Sequence, residues 1–266
     1  MRIDFGARTD VGRVRELNED NLRVVPELNL FILSDGIGGA AHGEIASEIA
    51  VSTIEEHCRT AAKDPSLPYE GDLRPDLADK TNRLASALRL ANRAIFSEAS
   101  ADQEKHGMGA TIVAIWLDGD RLSLAHVGDS RAYRLRQRVM EQLTRDHSLV
   151  AEQVRLGILT PEQAERSEYQ TMLMRALGAS ESVEVDVDEH VMLDGDAYLL
   201  CSDGLSRMVP DEKIADAIVS MKKAQKAADR LIELANEAGG LDNVTAVVVR
   251  YQPKSRGFFG LFSRNS

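Results

Sequence analysis

The chain predicts an α+β domain built in stacked layers. Its strand-like runs come in blocks joined by short turns such as Asp118-Gly119-Asp120, which favour antiparallel pairing. Its helical stretches come in pairs between those blocks, and no long Pro/Gly/Ser-rich linker divides the 266 residues. Strict alternation of strand and helix, the mark of a parallel doubly wound sheet, is missing.

Taken in order, residues 2–8 alternate weakly, and Thr9-Asp10-Val11-Gly12 reads as a turn. The polar stretch from Arg13 to Asp20 follows. If its end is extended, Asn18 and Asp20 share one face while Glu19 points to the other, because side chains alternate along a strand. Leu30-Phe31-Ile32-Leu33 is an apolar run of strand length that stops on Ser34-Asp35-Gly36, with further glycines at Gly38 and Gly39 marking a turn. Residues 43–62 carry Ile45, Ala46, Ile49, Ala50 and Ile54 at helical spacing, and residues 73–99 carry Leu77, Leu84, Leu88, Ala91 and Ile95 likewise. Pro65, Pro68, Gly71 and Pro75 place a loop between them. A meander of strands is expected at 110–117, 121–127, 131–136 and 139–143. Residues 148–175 read as short helices, one opened by Thr160-Pro161-Glu162-Gln163 through a cap and a proline in the first turn. Strands at 183–187 and 196–202, helices at 210–220 and 222–238, a stop at Gly239-Gly240 and a buried strand at 244–249 complete the series.

Hydrophobic residues make up 43% and charged residues 28%, enough for a sizeable core and too apolar for disorder along the whole chain. The net charge of −11 argues against an extended nucleic-acid surface. Cys58 and Cys201 form no Cys-x-x-Cys, so neither a disulfide framework nor a thiolate metal site is expected, and a reducing cytoplasm fits. No basic-then-apolar leader or bilayer-length apolar run is present in the sequence, so a secreted or membrane-spanning protein is not expected.

Chemistry concentrates where apolar runs end on carboxylates. Asp35 closes the run 30–33, Asp203 closes Tyr198-Leu199-Leu200-Cys201, Asp129 follows Leu122 to Val127, and Asp242 precedes the strand at 244. A lone Asp-Gly pair is as readily a turn, which accounts for Asp118-Gly119 and Asp194-Gly195. A carboxylate at the mouth of a buried strand must instead be paired, protonated or bound to a cation. Two like charges about 4 Å apart repel by about 4 kcal/mol even at an effective dielectric of 20. A converging set of Asp20, Asp35, Asp203 and Asp242 therefore needs cations, and all-oxygen ligands suit magnesium or manganese rather than zinc. Two such ions can activate a bridging water against phosphorus, and Arg15 can fork onto phosphate oxygens. The six histidines show no ligand spacing such as His-x-x-x-His and are read as structural or exposed.

Arg15-x-x-Asn18-Glu19-Asp20, Asp35-Gly36-x-Gly38-Gly39, Gly107-Met108-Gly109-x-Thr111, Gly128-Asp129-Ser130-Arg131, Ser202-Asp203-Gly204 and Asp242-Asn243 together resemble, in order, the motif set of the metal-dependent serine/threonine protein phosphatases of type 2C in their bacterial form. The resemblance runs from about residue 4 to 250. It implies a four-layer αββα sandwich, two packed antiparallel sheets flanked by helices, over residues 1–252, with 148–180 as a variable flap bordering the substrate groove. It implies two core Mn2+ or Mg2+ ions and a third, weaker one. In that scheme Asp35 bridges the core ions, Asp20 and the Gly36 carbonyl complete one side, Asp203 and Asp242 the other, and Glu19 acts through bound water. Arg15 holds phosphate, and Asp129 shares the third ion with Asp203. Phosphorylated proteins would be the substrates, a serine/threonine kinase the opposing enzyme, and a cytoplasmic monomer the expected form. The chain departs from the eukaryotic pattern at Ile37, where many members carry the histidine thought to protonate the leaving group; His42 or Ala40 stands at the next usual histidine.

Two other classes are weaker. A phosphoprotein-binding module without activity should have lost a metal aspartate, and all four are present. A two-metal nuclease should show a basic groove, which the net charge opposes. In the tail 253–266, Phe258, Phe259, Leu261 and Phe262 lie among Lys254, Arg256 and Arg264, a composition that fits docking to anionic lipid or a partner as well as it fits a disordered end.

Overall fold

Leu30, Phe31, Ile32 and Leu33 are all buried because the strand that carries them is covered on both faces. In the computed structural model, which describes residues 2–37 and 42–252, Leu30 and Ile32 join the core formed with helices α1 (Gly43–Lys63) and α2 (Asp79–Ala101). Phe31 and Leu33 point the other way, into a core shared with a second sheet.

That strand, β3 (Leu30–Ile37), belongs to a six-stranded sheet with β2 (Asp20–Val25), β4 (Gly109–Ala110), β5 (Ile112–Asp118), β6 (Arg121–Val127) and β9 (Asp186–Val191), in the order β2-β3-β5-β6-β9 with β4 beside β3. The second sheet is β1-β11-β10-β7-β8, from β1 (Arg2–Asp10), β11 (Val244–Gln252), β10 (Ala197–Cys201), β7 (Arg131–Arg136) and β8 (Val139–Gln142). Every pairing between these strands is antiparallel. Val247 and Val249 of β11 face Phe31 and Leu33 across the middle, whereas Val244, Ala246 and Val248 face α5 (Asp203–Ser206), α6 (Asp211–Ser220) and α7 (Ala224–Glu237). Three apolar cores thus separate four layers, and the expected αββα sandwich is the observed architecture.

Several element boundaries differ from expectation. The expected turn at residues 9–12 starts later, since β1 continues to Asp10 against β11. Helix α2 begins at Asp79 rather than at 73, because Pro75 interrupts the pattern and Asn82 bonds back to the Arg74 amide and carbonyl, closing a turn ahead of the helix. The expected four-stranded meander is split: β5 and β6 lie in one sheet, β7 and β8 in the other, and Gly128-Asp129-Ser130 crosses between them. The strand expected at 183–187 lies at Asp186–Val191, where it pairs with β6 from Arg121 to His126. Between β8 and β9 in the chain come α3 (Leu149–Arg155) and α4 (Pro161–Ala164), the latter opened by a full capping box between Thr160 and Gln163. No described helix is long and apolar enough to cross a membrane. Gly38, Gly39, Ala40 and the tail 253–266 lie outside the described residues.

Candidate metal centre

The register of the first hairpin puts two carboxylates directly opposite each other, since Asp20 pairs with Asp35 across β2 and β3. Such facing positions hold Cβ atoms about 4.5–5.5 Å apart, and like charges there repel. Both lie at the open end of the sheet. The backbone around Asp35 is fixed by Thr111, whose amide donates to the Asp35 carbonyl at 2.8 Å and whose Oγ1 accepts the Asp35 amide at 3.2 Å. Thr111 is held in turn by Ser130, with hydroxyls 2.7 Å apart. Two motifs far apart in the chain therefore serve one carboxylate.

The other expected residues converge on the same place. Burial, and then the charges of Asp20, Asp203, Asp129 and Asp242, hold the Asp35 carboxyl well above the usual carboxylate range. Burial likewise pushes Asp20 and Asp129 up to about 7, with Asp203 adding to both. Asp203 is raised chiefly by burial, against the opposing effect of Arg207, whose Nη1 donates to its Oδ2 at 2.8 Å. Arg15 Nη2 donates to Asp242 Oδ2 at 2.9 Å, so this guanidinium neutralises a carboxylate here. Glu19 stands one residue outside the strand and its carboxyl is raised mainly by burial. Its carbonyl accepts the Gly36 amide at 3.2 Å, which brings Gly36 to the Glu19-Asp20 corner. All eight expected site residues thus gather at one end of the sandwich.

Three supporting side chains were not among the expected site residues, although Ser202 and Asn243 belong to the quoted motifs. Ser202 Oγ and Thr245 Oγ1 donate to Asp20 Oδ2 at 2.8 and 2.7 Å. Asn243 accepts the Glu19 amide at 2.8 Å and donates to the Val11 and Leu17 carbonyls at 3.0 and 2.9 Å, pinning the whole 11–19 loop. Ser202 and Asn243 stood beside motif aspartates, but Thr245 is one threonine in an apolar strand. Thr245→Val keeps the shape and removes one donor. It is expected to weaken Mn2+ binding by about tenfold to a hundredfold, as loss of a ligand's supporting bond does, read by calorimetric titration.

Close backbone approach explains one glycine. A Cβ on Gly204 would stand 1.9 Å from the Asn243 carbonyl oxygen, so the turn after Asp203 can meet the Asn243 loop only without a side chain. Gly204→Ala is expected to destabilise the fold by about 1–3 kcal/mol, measured by urea unfolding.

The donor set fits hard cations. Asp20 Oδ1 and Glu19 Oε1 are buried and have no hydrogen-bond partner among the described residues. Unpaired buried carboxylate oxygens are costly, and the second oxygen of Asp20 is already taken by two hydroxyls. The free oxygen is therefore oriented rather than loose. An all-oxygen set of this kind suits Mn2+ or Mg2+.

A family profile described as protein phosphatase 2C matches residues 12–242, which spans all eight expected site residues from Arg15 to Asp242. The chain belongs to the protein phosphatase 2C family. Among its relatives, the serine/threonine protein phosphatase PstP of Mycobacterium tuberculosis is 41% identical over 246 residues, covering 92% of this chain and 44% of PstP. The chain thus spans under half the length of that relative. The serine/threonine phosphatase stp of Listeria welshimeri is 36% identical over 261 residues, covering 97% of this chain and 98% of its own. The crystal structure of the PstP catalytic domain in complex with two manganese ions superposes with a TM-score of 0.78 at 39% identity, covering 93% of this chain and 97% of that one.

Two of the histidines read above as structural or exposed meet in the fold of this protein phosphatase 2C chain: His126 and His147 stack with ring centroids 4.7 Å apart, and with Asp186 they bring three ligand-type atoms within 4.8 Å. Sequence spacing could not show this, because the three come from β6, the loop after β8 and β9. Beside the aspartates a groove of about 950 Å³ runs between the sheets' open end and α3 and α4, lined among others by Asp129, Arg131, Asp203, Arg207, Val150 and Pro161. Ser148, Val150, Val154, Pro161 and Gln170 of the 148–180 stretch line one side of it.

Proposed function

We propose that this chain is a manganese- or magnesium-dependent phosphatase that hydrolyses phosphoserine and phosphothreonine in proteins, with residues 1–252 as the catalytic domain and 148–180 as its flap. The observation that carries the reading is the convergence of five aspartates at one sheet end, with an oriented Asp20 oxygen left without a partner. Asp20, Asp35, Asp203, Asp242 and the Gly36 carbonyl would hold two ions, Glu19 would act through bound water, and Asp129 with Asp203 would hold a third, weaker ion. Bound there, such ions lower the pKa of a water that attacks phosphorus and offset charge on the phosphoryl oxygens. Arg15 would then exchange Asp242 for phosphate, its fork matching two oxygens in a way a lysine could not. Ile37, at the position where many eukaryotic members carry the histidine thought to be the acid, has no proton to give.

Both cysteines are buried and free, in keeping with a reducing cytoplasm. We read the protein as a cytoplasmic signalling enzyme that acts as a monomer and reverses a serine/threonine kinase. The tail 253–266 is the segment we assign to docking at anionic lipid or a partner; liposome pelleting and pull-down profiles that are both identical after its deletion would reject that role.

Phosphate release from a phosphothreonine peptide, after exhaustive chelation and again with Mn2+ restored, tests the function. Release only with metal is expected, and full activity after chelation contradicts it. With Ile37 in the acid's usual place, none of the six histidines should be individually essential. His42→Ala is expected to keep peptide turnover within tenfold. A selective loss of about a hundredfold on peptide but not on an aryl phosphate would make His42 the acid.

A further inference from the structure

The His126, His147 and Asp186 cluster looks at first like a second cation site, but its hydrogen bonding opposes one. His147 Nδ1 accepts the Gly128 amide at 3.1 Å, which leaves the ring proton on Nε2, 3.3 Å from Asp186 Oδ2. A cation at Nε2 would need either an imidazolate or loss of the Gly128 bond. Asp186 is already neutralised, since Arg175 Nη1 donates to its Oδ1 at 2.5 Å. With the proton on Nε2, the 3.3 Å approach of Arg175 Nη1 to that atom is not a hydrogen bond; both donors converge on Asp186. His126 is held neutral by burial and packs flat against the His147 ring.

The cluster instead ends beside a metal-centre carboxylate. Gly128 gives both of its backbone groups to His147, its amide to the ring and its carbonyl to the His147 amide at 3.0 Å. Gly128 has φ +105°, and a Cβ there would stand 2.6 Å from Thr111 Cβ, so the turn is pressed against the residue that fixes Asp35. On its far side Ser130 bonds the same Thr111. Asp129 is the middle residue of this crossing between the sheets. His147 also takes the Met174 amide on its carbonyl at 2.8 Å, next to the Ser148–Leu173 bridge where both stems of the 148–175 insert meet.

We propose that His147 is a positioning residue for Asp129. Its ring and amide clamp the Gly128 turn so that the Asp129 carboxylate faces the other aspartates, and Asp186 with Arg175 fixes the ring's tautomer and ties the clamp to the returning stem of the insert. The inference rests on the reading of Asp129 as ligand of the weakest ion, but the clamp itself can be measured without metal.

The test compares His147→Ala, His147→Asn and Asp186→Asn in the full chain. Amide hydrogen exchange around Gly128 is followed in metal-free protein, Mn2+ affinities by electron paramagnetic resonance titration, and kcat and KM on an aryl phosphate. His147→Ala is expected to speed exchange around Gly128 and to weaken the weakest Mn2+ by about tenfold to a hundredfold, with the tighter ions unchanged. kcat falls while KM holds. His147→Asn places an acceptor where Nδ1 stood and is expected to recover most of both losses, and Asp186→Asn to fall between. Wild-type exchange and Mn2+ affinity in His147→Ala, or no recovery in His147→Asn, would overturn the proposal. If His147→Ala does not fold, slower Gly128 exchange in His147→Asn than in Asp186→Asn supports the clamp and the reverse order rejects it. Failure of the wild type to release phosphate with Mn2+ would instead reject the phosphatase reading, and the exchange data would stand apart from it.

Discussion

Asp35→Asn is expected to lower turnover of a phosphothreonine peptide by more than the roughly hundredfold seen on removing a supporting residue, while making the metal-free protein more stable at neutral pH. Both effects come from one cause. Asp35 faces Asp20 across the hairpin and feels Asp203, Asp129 and Asp242 as well, so without cations its charge opposes the fold. Asparagine keeps the shape and removes that charge. Deleting a purely structural residue lowers activity and stability together; here they should move in opposite directions, as at a site whose strain serves function. Stopped assays and thermal unfolding of the same preparations check it, and a destabilised or fully active variant would reject it.

The second large effect is a linkage between metal and pH. Asp20 and Asp129 have native pKa values of about 7 without metal, pushed up by burial from an ordinary 3.8. Between those limits the native state binds more protons than the unfolded chain, so unfolding free energy falls as pH rises. The contribution of these two groups is full below about pH 4 and lost as pH climbs through 7. Cations need the deprotonated forms and therefore bind best where the metal-free protein is weakest. At a hundred times its dissociation constant one ion adds about 2.7 kcal/mol. At roughly 2–4 °C per kcal/mol for a chain of this size, each bound Mn2+ should raise Tm by about 5–10 °C at pH 8. The rise should shrink toward pH 5, and calorimetry in buffers of different ionisation enthalpy should detect proton release. A Tm shift independent of pH would contradict the linkage.

What the chain's letters reveal depends on how many layers read each residue. β3, β10 and β11 were legible as buried strands because both faces are covered, which leaves continuous apolar runs. Asp35, Asp129, Asp203 and Asp242 were legible because each breaks or borders such a run. The facing of Asp20 and Asp35 is a matter of register, and the crossing at Gly128-Asp129-Ser130 reads locally like any hairpin turn, so the two-sheet division of the meander was hidden. The strand at Asp186–Val191 was misplaced because its partner β6, rather than its own alternation, sets its position. Thr245 was invisible because its partner Asp20 is 225 residues away and adjacent only across the sheets, and the His147 clamp because only the fold brings two loop residues, Gly128 and His147, together. Arg15 was expected to hold phosphate, and its pairing with Asp242, 227 residues away in the chain, could not be read from the sequence.

The most direct test of the account is anomalous diffraction from crystals grown with Mn2+. Two strong peaks are expected about 3.5–4 Å apart, one bonded to Asp20 Oδ1, both bonded to Asp35, and the second bonded to Asp203 and Asp242. A peak at His126, His147 and Asp186 with none at the aspartates would contradict it.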